Sequence, residues 1–252
     1  MTHRAEMRTH RLGLIFASIA LSACGGSEVC VGEGALSACS APQQAPEHYV
    51  DQALRYFDSY DAGSDPSSRP TYAEGVIRWE WPPWLLLTGY GRDLIESVDR
   101  VVLLAMPSMV PIRDCRAFDV QPFARCRVSF QYPGGPCGIY EEFTFNDAGE
   151  ITFVEAWSDL PEYLPMDDPA EDPWGEGPGV RRLSSRVPGL GTPSGAVDPT
   201  SEAMQAAGET DADVAELARR MQSFWTSWLR EFNAIGGSGE GDIYGPGCGW
   251  AP

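Results

Sequence analysis

Glu142 and Glu155 are the residues of this chain best placed to move a proton. Two carboxyls held together away from water repel one another. One pKa then rises, which leaves an acid and a base side by side. The loop Asn146-Asp147-Ala148-Gly149 reads as a hairpin turn, with Gly149 free to take positive φ. That turn sets Phe145 near Glu150 and Thr144 near Ile151. Alternation along the strands then gathers Tyr140, Glu142 and Thr144 with Ile151, Phe153, Glu155 and Trp157 on one face. Lining a cavity, the two glutamates form an acid/base pair. Facing solvent, or neutralised by Arg125 or Arg127, they belong to an ordinary sheet surface. Tyr56, Tyr60, Trp79, Trp81 and Asp159 complete the candidate cavity. Asp58, Asp61 and Asp159 are further carboxylates there, with helix-end and turn roles as the alternative.

Much other chemistry is excluded by composition. The chain has no lysine, so Schiff-base catalysis and Walker-type phosphate loops are absent. Beyond the first 23 residues His48 is the sole histidine, which removes histidine triads and multi-histidine zinc sites. No Gly-x-Ser-x-Gly, Gly-x-Gly-x-x-Gly or Cys-x-x-Cys occurs. Asp167-Asp168 and Glu171-Asp172 lack the spacing of a calcium loop. Neither a metal nor a cofactor is implied.

The amino terminus specifies export. Arg4, Arg8 and Arg11 precede the apolar run Leu12–Ala23, too short to span a bilayer. Leu21-Ser22-Ala23-Cys24 is similar to the lipobox of bacterial lipoproteins, which implies a lipidated Cys24. Gly25 after it points to the outer membrane of a Gram-negative bacterium, on its periplasmic or surface side. Loss of residues 1–23 takes three of 18 basic and one of 36 acidic side chains, leaving 15 against 35 and a net charge of −20. Such a field repels phosphate backbones and excludes nucleic acid as a partner. The membrane, through the lipid, is the implied partner.

Cys30, Cys39, Cys115, Cys126, Cys137 and Cys248 remain, an even set in an exported chain, which reads as disulfides. A turn near Asp119–Pro122 sets Cys115 opposite Cys126 on adjacent strands. Cys30–Cys39 and Cys137–Cys248 follow by locality and elimination.

The elements that must position these residues divide the chain into five parts. Residues 1–23 are the signal peptide and 24–45 a flexible tether. From 46 to 159 helical and strand periodicities alternate in an α+β body. Pro46 opens a helix whose Tyr49, Val50, Ala53, Phe57 and Tyr60 share one face, and Gly63 closes it. A short helix is expected near Pro70–Glu74. Ile77, Trp79 and Trp81 alternate with Arg78 and Glu80, the pattern of a strand with one buried face. A third helix covers about 92–105, and strands at 112–119, 124–132, 138–145 and 150–158 form an antiparallel meander. Residues 160–198 are a proline-rich acidic wrap or linker, on which Arg181, Arg182 and Arg186 serve as pins to the acidic body. Residues 199–252 form a helical extension: a short helix capped by Asp198-Pro199, then one opened by a Thr210-x-x-Asp213 capping box over about 211–234. The stripe from Val214 to Phe232 on that helix is a core contact.

Tyr56-Phe57-x-x-Tyr60, the stretch Glu142-Phe143-Thr144-Phe145-Asn146-Asp147-Ala148-Gly149-Glu150-Ile151 and the closing Trp157-Ser158-Asp159 resemble the nuclear transport factor 2-like superfamily, which includes ketosteroid isomerases and polyketide cyclases. The resemblance covers residues 46–159. It implies a curved antiparallel sheet wrapped around N-terminal helices, a cone-shaped cystatin-like barrel, here with an added C-terminal helical segment. The family holds enzymes, ligand binders and interaction modules, so fold alone does not decide function. Without a cavity histidine or an Asp/Tyr pair, the chain reads as a non-catalytic envelope lipoprotein that binds a small apolar ligand or an envelope protein partner. The alternative is an isomerase, dehydratase or cyclase with a cavity carboxylate as proton carrier.

Overall fold

The computed structural model describes residues 41–65, 67–80, 88–105, 108–132, 135–158 and 200–212, with 214, 215, 218, 219, 222 and 234 beyond them. In chain order these give α1 (Pro46–Asp58), β1 (Tyr72–Glu80), β2 (Gly89–Tyr90), α2 (Arg92–Ala105), β3 (Met109–Ala117), β4 (Ala124–Tyr132), β5 (Gly135–Phe145), β6 (Ile151–Ser158) and α3 (Glu202–Gly208). The six strands make one curved, unclosed sheet in the order β2-β1-β6-β5-β4-β3. β3 to β6 are an antiparallel meander, and β1 joins β6 in parallel. The fold is α+β, as the resemblance implies. Among the described residues no helix is long and apolar enough to cross a membrane.

The helix α1 starts at Pro46, where a missing N–H leaves no bond unmade. Tyr49, Ala53, Tyr56 and Phe57 recur at helical spacing and are all buried. Tyr49 lies against Phe123 and Phe145, while Tyr56 and Phe57 meet the ring of Phe143 edge-on, at centroid distances of 5.1 and 5.9 Å. Offset and edge contacts of this kind suit the ring quadrupoles. α1 therefore lies on the face of the sheet that carries Phe143, here called the inner face. α2 turns Ile95, Val98, Asp99 and Val102 inward.

Register across the sheet assigns every strand residue to a face, because directly opposed residues share one. Arg78, Val154, Phe143, Ala124 and Ala117 form one inner row, and Glu80, Ala156, Glu141, Cys126 and Cys115 form the next. Trp79, Glu155, Glu142, Arg125 and Arg116 form a row on the outer face. Both faces of β1 are buried at its end, since Ile77, Arg78, Trp79 and Glu80 are all nearly inaccessible. The alternation of β1 had suggested a single buried face.

Several local expectations are corrected. Residues 72–74 are strand, not helix, and Tyr72 pairs with Ile151. The 146–149 loop is a hairpin as read, with Gly149 at φ 78° and its N–H bonded to the Asn146 carbonyl. A register shift after Thr144, however, pairs Phe145 with Ile151 and Thr144 with Phe153. Ser201 caps α3, its hydroxyl accepting from the Met204 N–H, where Asp198 had been expected. Asp211, not Thr210, accepts from the Val214 N–H at the start of the next helical turn. Val214 and Ala218 are buried, whereas Phe224, Trp225, Trp228 and Phe232 lie outside the described residues.

Candidate functional site

The inner face carries a cluster of ionisable and hydroxyl groups with almost no access to water. Arg78 of β1 is 1% exposed. Its Nη1 donates to Asp99 Oδ1 of α2 at 2.7 Å and also meets the hydroxyl of Tyr60, just beyond α1. Tyr60 in turn donates to the same Asp99 oxygen at 2.7 Å. Helix, turn and strand thus converge on one buried ion pair. Burial pushes the Asp99 carboxyl up, opposed by the Arg78 charge and by hydrogen bonds from Tyr60 and Arg78. Burial acts against the Arg78 charge too, yet Asp99 and the surrounding tyrosines hold its pKa well above the ordinary value.

Glu141 occupies the next position on the same face, directly opposite Cys126 and Ala156. Burial pushes its carboxyl well above the usual glutamate range, and the neighbouring Glu80 carboxylate adds to the rise. A hydrogen bond from Tyr56 and the Arg78 charge oppose it. Glu141 Oε2 and the hydroxyl of Tyr72 are buried without a hydrogen-bond partner. Buried polar groups are almost always paired, so two unpaired oxygens on one wall call for an explanation. Burial also raises the hydroxyl pKa of Tyr56, Tyr60 and Tyr72 well above the ordinary tyrosine value. The inner wall thus sets tyrosine hydroxyls and a carboxyl that holds its proton more tightly than an ordinary glutamate beside the Arg78–Asp99 ion pair and the Glu80 carboxylate.

The anticipated cavity residues do not line one surface. Tyr56 and Tyr60 belong to the α1 side and touch the inner cluster. Trp79, Tyr140, Glu142, Phe153, Glu155 and Trp157 all point from the outer face. Trp81 and Asp159 lie outside the described residues, as do Cys24, Cys30, Cys39 and Cys248. Glu142 and Glu155 are directly opposed because of the register shift after Thr144, where the turn as read would have set Glu142 opposite Phe153, and both are buried. Arg125 stands beside them in the same row, with Nε 3.6 Å from Glu142 Oε1. Tyr140 and Trp157 stack at 5.8 Å next to this pair. The outer glutamates are thus set in an ionic row, and the glutamate on the inner face is their neighbour Glu141. Since side chains change face at every residue, choosing the wrong one of two adjacent glutamates reverses the assignment.

Solved structures similar to this chain include a SnoaL-like family protein of Agrobacterium tumefaciens named as an isomerase, with a TM-score of 0.37 and 18% identity over 45% of this chain and 99% of that one. A SnoaL-like protein of Jannaschia named as a polyketide cyclase gives 0.34 and 16% over 47% and 92%. An uncharacterised bacterial protein with a cystatin-like fold, from Silicibacter pomeroyi, gives 0.27 and 16% over 70% and 89%. No protein-family model and no curated protein matches the sequence. The likeness concerns fold alone, and any chemistry must come from this chain's own residues.

The other sequence-level candidates have structural partners. Arg113 of β3 bridges Asp58 and Asp61 with contacts of 2.5 Å to each, which ties the end of α1 to the sheet edge. Cys115 and Cys126 are bonded, in register on β3 and β4, as the turn between them required. Cys137 is also disulfide-bonded. No group of three or more metal-ligating side chains occurs among the described residues.

Proposed function

We propose that this chain is a lipid-anchored envelope protein whose inner sheet face binds a small, mostly apolar molecule without transforming it. The observation that carries the reading is the unpartnered pair of buried oxygens, Glu141 Oε2 and Tyr72 Oη, set among the aromatic side chains of α1 and β5. Binding sites for small molecules are mostly apolar and carry a few fixed polar groups that orient the ligand. Arg78 is compensated by Asp99, with Tyr60 bonded to both. Anchoring through Cys24 rests on the Arg-rich start, the apolar run and Leu21-Ser22-Ala23-Cys24. Nucleic acid is not among the partners of so acidic a chain.

A second reading is favoured by one observation, the raised Glu141 pKa, which is what a proton carrier in an isomerase, dehydratase or cyclase requires. The test uses the full chain and Nile red as an apolar probe. Saturable binding that Glu141→Leu weakens, with the probe unchanged after release, supports passive binding. Binding unaffected by both Glu141→Leu and Tyr72→Phe contradicts it. Turnover of an enolisable ketone that is abolished by Glu141→Gln establishes the catalytic alternative. For the anchor, Cys24→Ser must release the protein from envelope membranes in high salt, and retention would contradict lipidation.

A further inference from the structure

β3 ends the sheet, and among the described residues no strand pairs with its outer edge, although Asp61 and Arg113 take the N–H and C=O of Val110 at its start. Which of its backbone groups face outward is fixed by two independent observations. The Phe118 N–H donates to the Phe123 carbonyl at 2.9 Å, so the pair just beyond β3 and β4 is a hydrogen-bonded one. Positions 114 and 116 share that parity and bond toward β4. Cys115 and Cys126, in contrast, have Cα atoms 4.1 Å apart, the closer spacing of a pair that exchanges no backbone bonds. The N–H and C=O groups of Arg113, Cys115 and Ala117 therefore point away from the sheet. An edge of this kind is a template for another strand unless something blocks it.

We propose that the occupant is β3 of a second copy of this chain, paired antiparallel about a two-fold axis at Cys115. Symmetry and side-chain charge select that register. The outward groups lie at odd positions, so Cys115 can face its own counterpart, Arg113 or Ala117. Facing Arg113 sets Asp114 opposite Asp114, and facing Ala117 sets Arg116 opposite Arg116. Like charges directly opposed are unfavourable. Only the Cys115-centred register sets Asp114 of each copy opposite Arg116 of the other, and it also uses all three outward residues of both strands. Asp114 and Arg116 are each 52% exposed and already reach one another along the strand at 2.8 Å. Across the axis they exchange that contact for two closer-spaced pairs. Ile112, 53% exposed, comes opposite the half-buried Phe118 of the other copy on the same face. The interface is isologous, as a closed two-fold dimer requires, and it extends two six-stranded sheets into one.

The experiment is sedimentation of the full chain in density-matched detergent across a concentration series, with charge exchange at the edge. The parent is expected to dimerise. Arg116→Glu and Asp114→Arg should each weaken the dimer by about tenfold, since two attractive pairs become repulsive. The double variant carrying both changes should recover parental affinity. Hydrogen exchange at the Arg113, Cys115 and Ala117 amides, which needs no variant, should slow as protein concentration rises. A parent that stays monomeric into the millimolar range overturns the proposal. So does a dimer indifferent to both single changes, or exchange at these amides that is independent of concentration.

Discussion

Replacing Arg78 with Met probes the inner cluster most severely. The substitution keeps most of the side-chain volume and removes the charge that compensates Asp99. Both partners are almost wholly buried, with side-chain exposures of 1% and 5%. Removing one member of a buried ion pair costs about 3–5 kcal/mol, because the remaining charge has neither water nor counter-ion. For a chain of this size that corresponds to a fall in Tm of roughly 6–20 °C. The sign with pH is fixed as well. Asp99 is raised by burial even with Arg78 present, and loss of the guanidinium raises it further. The folded variant then holds a proton that the unfolded chain has released, so its stability is lost as pH rises through the folded value and regained on acidification. Thermal and urea unfolding at about pH 5 and about pH 7.5 should therefore show a larger deficit at the higher pH. The double variant Arg78→Met, Asp99→Leu should recover much of the loss and remove its pH dependence. A deficit of about 1 kcal/mol or less for the single variant, or one equal at both pH values, would refute this picture of the cluster.

Glu141→Gln should stabilise the protein at neutral pH. Its raised carboxyl makes parental stability fall as pH climbs from about 4.3, the ordinary glutamate value, through the folded value, and glutamine lacks that slope. Urea titrations across that range compare the two. Gly149→Ala should cost about 1–3 kcal/mol in chemical denaturation, because φ there is +78° and a Cβ would come within 2.5 Å of His48 Nε2 and 2.9 Å of Gln44 Cγ. Gly135→Ala meets no atom within 4 Å and should cost less, from backbone strain alone. Breaking the Cys115–Cys126 bridge by a double change to Ala should cost about 3 kcal/mol on the chain-entropy view, and peptide mapping of the parent should recover those two cysteines linked.

Periodicity made the framework legible. α1, α2 and the meander lie close to where apolar spacing placed them, since each buries at least one apolar stripe or face. The Cys115–Cys126 bridge was legible because a short turn leaves little choice of register. The inner cluster was not, because its polar residues are satisfied by partners distant in sequence. Arg78 and Glu80 alternate with Ile77 and Trp79, which ordinarily marks a solvent face. Here Arg78 meets Tyr60 and Asp99 from two other elements. One local sign was available: Asp99 sits within the stripe Ile95, Val98 and Val102, where an unpaired acid would be costly. The register shift after Thr144 has no sequence signature, and the adjacent Glu141 and Glu142 differ only in the face they take.

The most direct test of the proposed binding site is the ionisation of Glu141, followed by carboxyl-carbon NMR from about pH 3 to 9 and repeated with Nile red bound. Glu141 is expected to remain neutral at neutral pH in the free protein, and its resonance to move on probe binding while those of Glu142 and Glu155 do not. A Glu141 that titrates near 4.3, or a probe that perturbs only the outer glutamates, would contradict the proposed site.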